Sequence, residues 1–96
     1  MAKDKKGISA HPHDIYKKAL MKWGYRSQVG MLHEEVGELF QALNKFSRKK
    51  ATTKQVIDEI ADAWIMVEQM AMAFGMAEAH HRKIEKLIRL EKLLSK

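Results

Sequence analysis

Two short acidic clusters share one pattern of residue types and spacing. The first covers residues 34–38 (EEVGE), and the second, residues 58–62 (DEIAD), follows 24 residues later. Each reads acid, acid, β-branched aliphatic, small residue, acid, in a segment that is otherwise apolar on one side. Carboxylates beside an apolar core are costly unless positive charge lies among them. The pattern therefore predicts a shared divalent metal site, and oxygen ligands favour Mg²⁺ or Mn²⁺ over zinc.

Helical geometry places four of these carboxylates on matching flanks of two helices. At about 100° per residue, Glu35 lies at the edge of the apolar stripe of the second predicted helix, with Glu38 further round on the same flank. Glu59 and Asp62 take the same positions on the third predicted helix. If the two stripes pack antiparallel, the four carboxylates converge, as in carboxylate sites of helical bundles. Glu34 points nearly opposite the stripe.

A solvated acidic face is the competing interpretation of the same residues. Acids three or four residues apart are common on exposed helix faces, where they often pair with Lys or Arg. The four flank acids have few basic residues at those spacings. The sequence therefore favours the metal site over the solvated face.

The segments that position these acids are all predicted to be helical, since no stretch alternates with period two long enough for a strand. Gly24 and Gly75 are expected to break helices, and Thr52 with Gln55 resembles a capping box. Residues 1–10 are predicted to be a flexible tail, and residues 11–96 a single domain. The predicted helices cover residues 12–23, 27–46, 52–74 and 77–94.

The third predicted helix is apolar almost all round. Its main stripe is expected to hold Val56, Ile60, Ala63, Val67, Met70 and Phe74. Further apolar residues lie outside that stripe: Ile57, Trp64, Ile65, Met66, Met72 and Met76. A helix of this kind needs partners on both sides. In a chain of 96 residues the second partner is expected to be another copy of the protein.

Composition narrows the classes of function. The chain has no cysteine, which excludes disulfides and thiolate zinc sites. No apolar run approaches the roughly 18–20 residues of a membrane span, and the N-terminus does not resemble a signal peptide. We therefore expect a cytoplasmic protein without a membrane partner. The net charge of +6 is concentrated towards the ends, which suits an anionic ligand bridged by metal and equally suits solubility.

The order Gln28, then EExxE at residues 34–38, then ExxD at residues 59–62 after a 20-residue gap, resembles the MazG-like branch of the all-α nucleoside triphosphate pyrophosphohydrolases. The resemblance covers about residues 20–75. It implies a four-helix, bundle-like fold completed by oligomerisation, as a dimer or tetramer. It also implies hydrolysis of a nucleoside triphosphate, such as a dNTP or a modified NTP, to the monophosphate and pyrophosphate. The biological role would be nucleotide-pool housecleaning.

The resemblance also implies roles for the acidic residues. Glu35, Glu38, Glu59 and Asp62 would ligate Mg²⁺, for which Mn²⁺ could substitute. Glu34 would act from outside that set or as the base that deprotonates water, so that Glu34, Glu35 and Glu38 form the catalytic set.

Substrate contacts are implied less directly. Gln28 would lie near the nucleotide, and Trp23 or Tyr25 could stack on the base, although core packing is the commoner role of such an aromatic residue. Basic residues would reach the phosphates, and the candidates are Lys54, Lys83 and Arg89.

Two other classes of function remain open from the sequence. The basic ends suggest a helical nucleic-acid-binding module, but no recognition helix is evident and acids dominate the centre, so no specific nucleic acid is expected. A non-catalytic interaction module on the same fold is the second. The complete set of four carboxylates favours the enzyme over both.

Overall fold

The computed structural model describes residues 7–96, and within that range it contains four α-helices and no strand. They are α1 (Pro12–Trp23), α2 (Tyr25–Ser47), α3 (Thr53–Phe74) and α4 (Met76–Leu94). The predicted all-α class is thus confirmed, and the MazG-type fold and the oligomer stay predictions. Of the predicted tail, residues 1–6 lie outside the described residues, and residues 7–10 are not helical. No helix in residues 7–96 is both long and apolar enough to cross a membrane.

Single glycines separate α1 from α2 and α3 from α4. Gly24 has a φ angle of 87° and Gly75 has a φ angle of 141°. Residues that carry a Cβ atom rarely adopt such values. A Cβ atom at Gly75 would also approach Glu78 Oε1 to 2.7 Å. Because Gly24 alone makes the break, α2 begins at Tyr25, two residues before the predicted start at Ser27.

Helices α2 and α3 form an antiparallel hairpin, the most extensive helix pair of the chain. At one end the rings of Tyr25 and Phe74 meet edge to face, with centroids 5.8 Å apart. At the other end α3 begins with the predicted capping box. The Gln55 N–H donates to Thr52 Oγ1 (3.1 Å), and the Thr52 N–H donates to Gln55 Oε1 (2.8 Å). The paired bonds fix the start of α3, which carries the second acidic cluster.

Helix α1 contacts both helices of the hairpin, and the buried face of α3 differs from the predicted one. The Tyr16 hydroxyl donates to Glu68 Oε1 at 2.5 Å. Met66, expected outside the main stripe, is buried, whereas Val67, expected within it, is 53% exposed. The buried residues of α3 are therefore Ala63, Met66 and Gln69. The predicted stripe was partly wrong because α3 packs against two helices, α1 and α2. The face of α3 that these helices bury together is not the most apolar face of the helix.

The core within a single chain is small. Its buried apolar residues are Tyr16, Ala42, Ala63 and Met66. Helix α4 buries none of its residues. Large apolar side chains on α3 and α4 remain exposed, among them Trp64, Ile65, Phe74, Leu87 and Leu94.

Candidate metal centre

Three carboxylates from the two hairpin helices converge. Glu35, Glu38 and Glu59 each offer one oxygen, and these oxygens lie within 4.8 Å of one another. Asp62 lies close enough for its charge to raise the pKa of both Glu35 and Glu59. One helical turn separates the two acids on each helix, and the antiparallel pairing brings the two turns face to face.

The electrostatics of this cluster disfavour its fully ionised form. Burial raises the pKa of Glu35 above its usual value, and the charges of Glu38 and Asp62 raise it further. Burial and the same two neighbours also raise the pKa of Glu59. Like charges held together beside apolar surface favour the protonated state. A bound cation would relieve the same repulsion.

No basic side chain in the described part of the chain forms an ion pair with the cluster. The ion pairs within residues 7–96 join Lys54 to Asp58 and join His81 and Arg82 to Glu85, so none of them involves Glu35, Glu38, Glu59 or Asp62. The available donors are carboxylate oxygens, which suit Mg²⁺ or Mn²⁺. The donor set thus fits the predicted metal.

The other predicted site residues lie elsewhere within the chain. Glu34 is exposed and outside the converging oxygens. The Lys54 ammonium bonds to Asp58 at 3.0 Å. Lys83 lines a separate cavity between α3 and α4, and Arg89 is exposed on α4. Substrate contacts from Lys54, Lys83 and Arg89 stay predictions, since the fold of one chain does not bring them to the carboxylates.

Trp23 and Gln28 come together at a mainly apolar cavity of about 480 Å³ between α1, α2 and α3. Its walls are made by Ile15, Tyr16, Ala19, Trp23, Ser27, Gln28, Met31, Ile65, Met66 and Gln69. Gln28 and Gln69 are only 5% and 3% exposed. The Gln69 Oε1 atom has no hydrogen-bond partner among the described residues. A buried, unpartnered amide oxygen is costly, which marks Gln69 as an unusual residue in the wall of this cavity.

The two glutamines hold equivalent places relative to the acids. Gln28 precedes Glu35 by seven residues, and Gln69 follows Asp62 by seven. Two helical turns, roughly 10 Å along the axis, separate each glutamine from its acid. Because α2 and α3 are antiparallel, both glutamines lie on the same side of the metal centre. Sequence reasoning missed Gln69, although an amide two turns from Asp62 in a mostly apolar segment was a usable signal.

Comparison with protein-family models, with curated proteins and with solved structures finds no match to this chain. The likeness to the MazG-like enzymes therefore rests on the acidic motif.

Proposed function

We propose that the protein is a Mg²⁺-dependent nucleoside triphosphate pyrophosphohydrolase. It would hydrolyse the phosphoanhydride linkage between the α and β phosphorus atoms and release a monophosphate and pyrophosphate. The observation that carries the proposal is the convergence of carboxylates from α2 and α3, with oxygens of Glu35, Glu38 and Glu59 within 4.8 Å. The resemblance of the motif to the MazG-like enzymes supplies the reaction type.

The residues that would hold the metal are Glu35, Glu38, Glu59 and Asp62. When bound, Mg²⁺ would neutralise the triphosphate and lower the pKa of water at the site. The chain supplies a fixed arrangement, since all four ligands project from helices and not from loops. Glu34, adjacent to Glu35 but facing solvent, would act from outside the ligand set or would accept a proton from water.

The base of the nucleotide would occupy the cavity beside Gln28 and Gln69. Its volume of about 480 Å³ lies within the roughly 300–1,000 Å³ typical of small-molecule sites. The unpartnered Gln69 Oε1 would accept a hydrogen bond from the base, and the Trp23 ring at the cavity wall would pack on it. Gln28 would fix the base from the opposite helix.

A homo-oligomer is part of the proposal. Trp64 is 63% exposed and Phe74 is 75% exposed, and α4 has no buried residue. Apolar surface of this extent on a small domain is typical of an association surface. A cytoplasmic dimer or tetramer, with a housecleaning role in the nucleotide pool, is the form that we propose.

Product analysis tests the reaction. Purified protein is incubated with a panel of standard and modified NTPs and dNTPs in Mg²⁺, Mn²⁺ or EDTA, and nucleotides and pyrophosphate are quantified. We expect monophosphate and pyrophosphate in equal amounts with either metal and neither product in EDTA. The ranking of rates would identify the preferred base and sugar.

Measurements of Mg²⁺ binding and of nucleic-acid binding, beside the product analysis, separate the alternatives. Folded protein that binds Mg²⁺ but turns over no nucleotide would contradict the enzyme and leave a non-catalytic interaction module. Sequence-selective binding of nucleic acid would favour the nucleic-acid-binding module, whereas weak binding that falls steeply with salt would not.

A further inference from the structure

A second cavity, of about 230 Å³, lies on the other side of the candidate metal centre from the two buried glutamines. It is bounded by the C-terminal half of α2, the α2–α3 loop and the first turns of α3. Its polar walls are Glu38, Gln41, Lys45, Lys50, Gln55 and Glu59. Glu38 and Glu59 thus face both the converging carboxylates and this cavity, which makes the two sites continuous.

The loop conformation brings Lys50 to the cavity. The Lys50 N–H donates to the Lys45 carbonyl oxygen (2.7 Å), and the Lys49 N–H donates to the Phe46 carbonyl oxygen (2.9 Å). These are the two hydrogen bonds of a Schellman motif, in which a residue just past the end of the helix adopts the left-handed conformation. Lys49 takes that conformation with φ of 62°. The chain therefore reverses immediately after α2, and Lys50 lies against the same cavity as Lys45.

The donors in this cavity are available to a ligand. Within residues 7–96, neither Lys45 nor Lys50 forms an ion pair with a carboxylate, although Glu38 and Glu59 line the same cavity. The Gln55 oxygen is already bonded to the Thr52 N–H, which leaves the amide N–H₂ of Gln55 to donate. The first turn of α3 adds the partial positive charge of a helix N-terminus.

The three features lie in order along the hairpin. The apolar cavity with Gln28 and Gln69 comes first, the carboxylates come next, and the cavity with Lys45 and Lys50 follows. A nucleoside triphosphate has the same order of parts: an apolar base, the α-phosphate where the bond is broken, and the terminal phosphates. The volume of about 230 Å³ is below the roughly 300–1,000 Å³ of sites for whole drug-sized ligands, which suits a phosphate group and not a second nucleoside.

We propose that Lys45 and Lys50 form an anion site that holds the two terminal phosphates of the substrate, and the pyrophosphate that leaves. The inference rests on the proposed function for its ligand. The lysines would donate to phosphate oxygens, and Glu38 and Glu59 would help to hold a metal that neutralises charge on the same phosphates. Lysine binds phosphate as a point charge, and two lysines at one end orient the chain of phosphates.

Calorimetric titration of inorganic pyrophosphate into the protein, in excess Mg²⁺, tests this site without any turnover. The variant is Lys45→Gln with Lys50→Gln. The matched control is Lys92→Gln with Lys96→Gln, which removes the same charge from the end of α4. We expect the site variant to bind pyrophosphate about tenfold or more weakly, the control to bind as the parent does, and both to keep the parent's helical circular dichroism.

A nucleoside monophosphate serves as the second probe, because it lacks the terminal phosphates. Its dissociation constant should change by less than about twofold in the site variant. Equal weakening of pyrophosphate binding in the site variant and in the control would overturn the proposal, because it would show a general effect of net charge. Absence of pyrophosphate binding by the parent protein would overturn it as well.

The measurements distinguish an error in the proposed enzyme activity from an error in the proposed anion site. Lysine-dependent pyrophosphate binding without nucleotide turnover would support the anion site and contradict the pyrophosphohydrolase. Turnover with a KM that is the same in the site variant and the parent would support the enzyme and overturn the anion site.

Discussion

Glu38 on α2 and Glu59 on α3 present carboxylate oxygens within 4.8 Å of each other across an antiparallel helix pair. Glu38 is also one of the charges that raise the pKa of Glu59, after burial. We expect a pair of acids held in this way to destabilise the metal-free fold and to favour a divalent cation.

Removal of one ligand charge should abolish catalysis without unfolding the protein. We expect Glu38→Gln and Asp62→Asn to lower kcat/KM by at least about 100-fold, because both residues are proposed to hold the metal. Steady-state pyrophosphate release checks this result. Asp58→Asn is the control, since Asp58 lies on the same helix but pairs with Lys54. A Glu38→Gln protein with near-parent activity would contradict the metal role of Glu38.

The same repulsion should appear in the stability of the metal-free protein. Glu35→Gln is expected to raise the melting temperature in EDTA by roughly 2–5 °C, since it removes one of the mutually repelling charges. Magnesium should stabilise the parent, by about 2.7 kcal/mol at 100 times its Kd, and should stabilise the variant much less. Differential scanning calorimetry with and without Mg²⁺ measures both effects. The neighbouring Glu34→Gln, outside the converging set, should show neither.

The pH dependence of the metal-free protein follows from the raised pKa values of Glu35 and Glu59. A raised pKa means that the folded state binds these protons more tightly than the unfolded state does. Their contribution to stability is therefore full below the ordinary glutamate pKa and is lost as the pH rises through the folded values. We expect this loss in EDTA to be smaller in Glu35→Gln than in the parent. An identical acid-range stability profile for the two proteins would contradict the assignment.

Gln69 is expected to lower the stability of the folded protein and to contribute to nucleotide binding. Gln69→Met removes the buried, unpartnered Oε1 atom while keeping the length of the side chain. We expect the free energy of unfolding to rise by about 1 kcal/mol and the KM for nucleotide to rise by about tenfold. Chemical denaturation and initial rates measure the two effects. A more stable variant with unchanged KM would show that the base does not contact Gln69.

Tyr16 should link α1 to α3 in a way that depends on pH. Burial, then the hydrogen bond to Glu68, raises the pKa of Tyr16 from 10.0 to about 12. The folded state thus favours the neutral phenol, and the associated stability is present below pH 10 and lost as the pH rises through about 12. The Tyr16→Phe variant should have a free energy of unfolding about 1–3 kcal/mol lower than the parent at neutral pH. It should also lack the parent's loss of stability at alkaline pH. Tyr25→Phe, whose ring packs on Phe74, should retain that loss.

Local sequence signals predicted the elements of this fold well. The capping box at Thr52 and the glycine breaks at Gly24 and Gly75 act through neighbouring residues, so the sequence alone locates them. The shared flank of Glu35 and Glu38 follows from helical periodicity, and the antiparallel hairpin brings it to the flank of Glu59. These predictions depend on one helix or on one helix pair.

Features that depend on three helices or on loop conformation could not be predicted in the same way. Met66 is buried because α1 covers that side of α3, which periodicity within α3 does not reveal. Lys50 reaches its cavity because Lys49 takes a left-handed conformation, for which glycine is the usual sequence signal. The apolar cavity with Gln69 likewise needs α1, α2 and α3 together.

A ³¹P NMR time course tests the proposed reaction most directly. It follows the best nucleoside triphosphate of the panel with the parent protein and with Glu38→Gln, each in Mg²⁺. We expect the parent to convert the triphosphate signals into those of monophosphate and pyrophosphate, in a one-to-one ratio, and the variant to leave them unchanged. Formation of diphosphate and orthophosphate, or equal turnover by the two proteins, would contradict the proposed reaction.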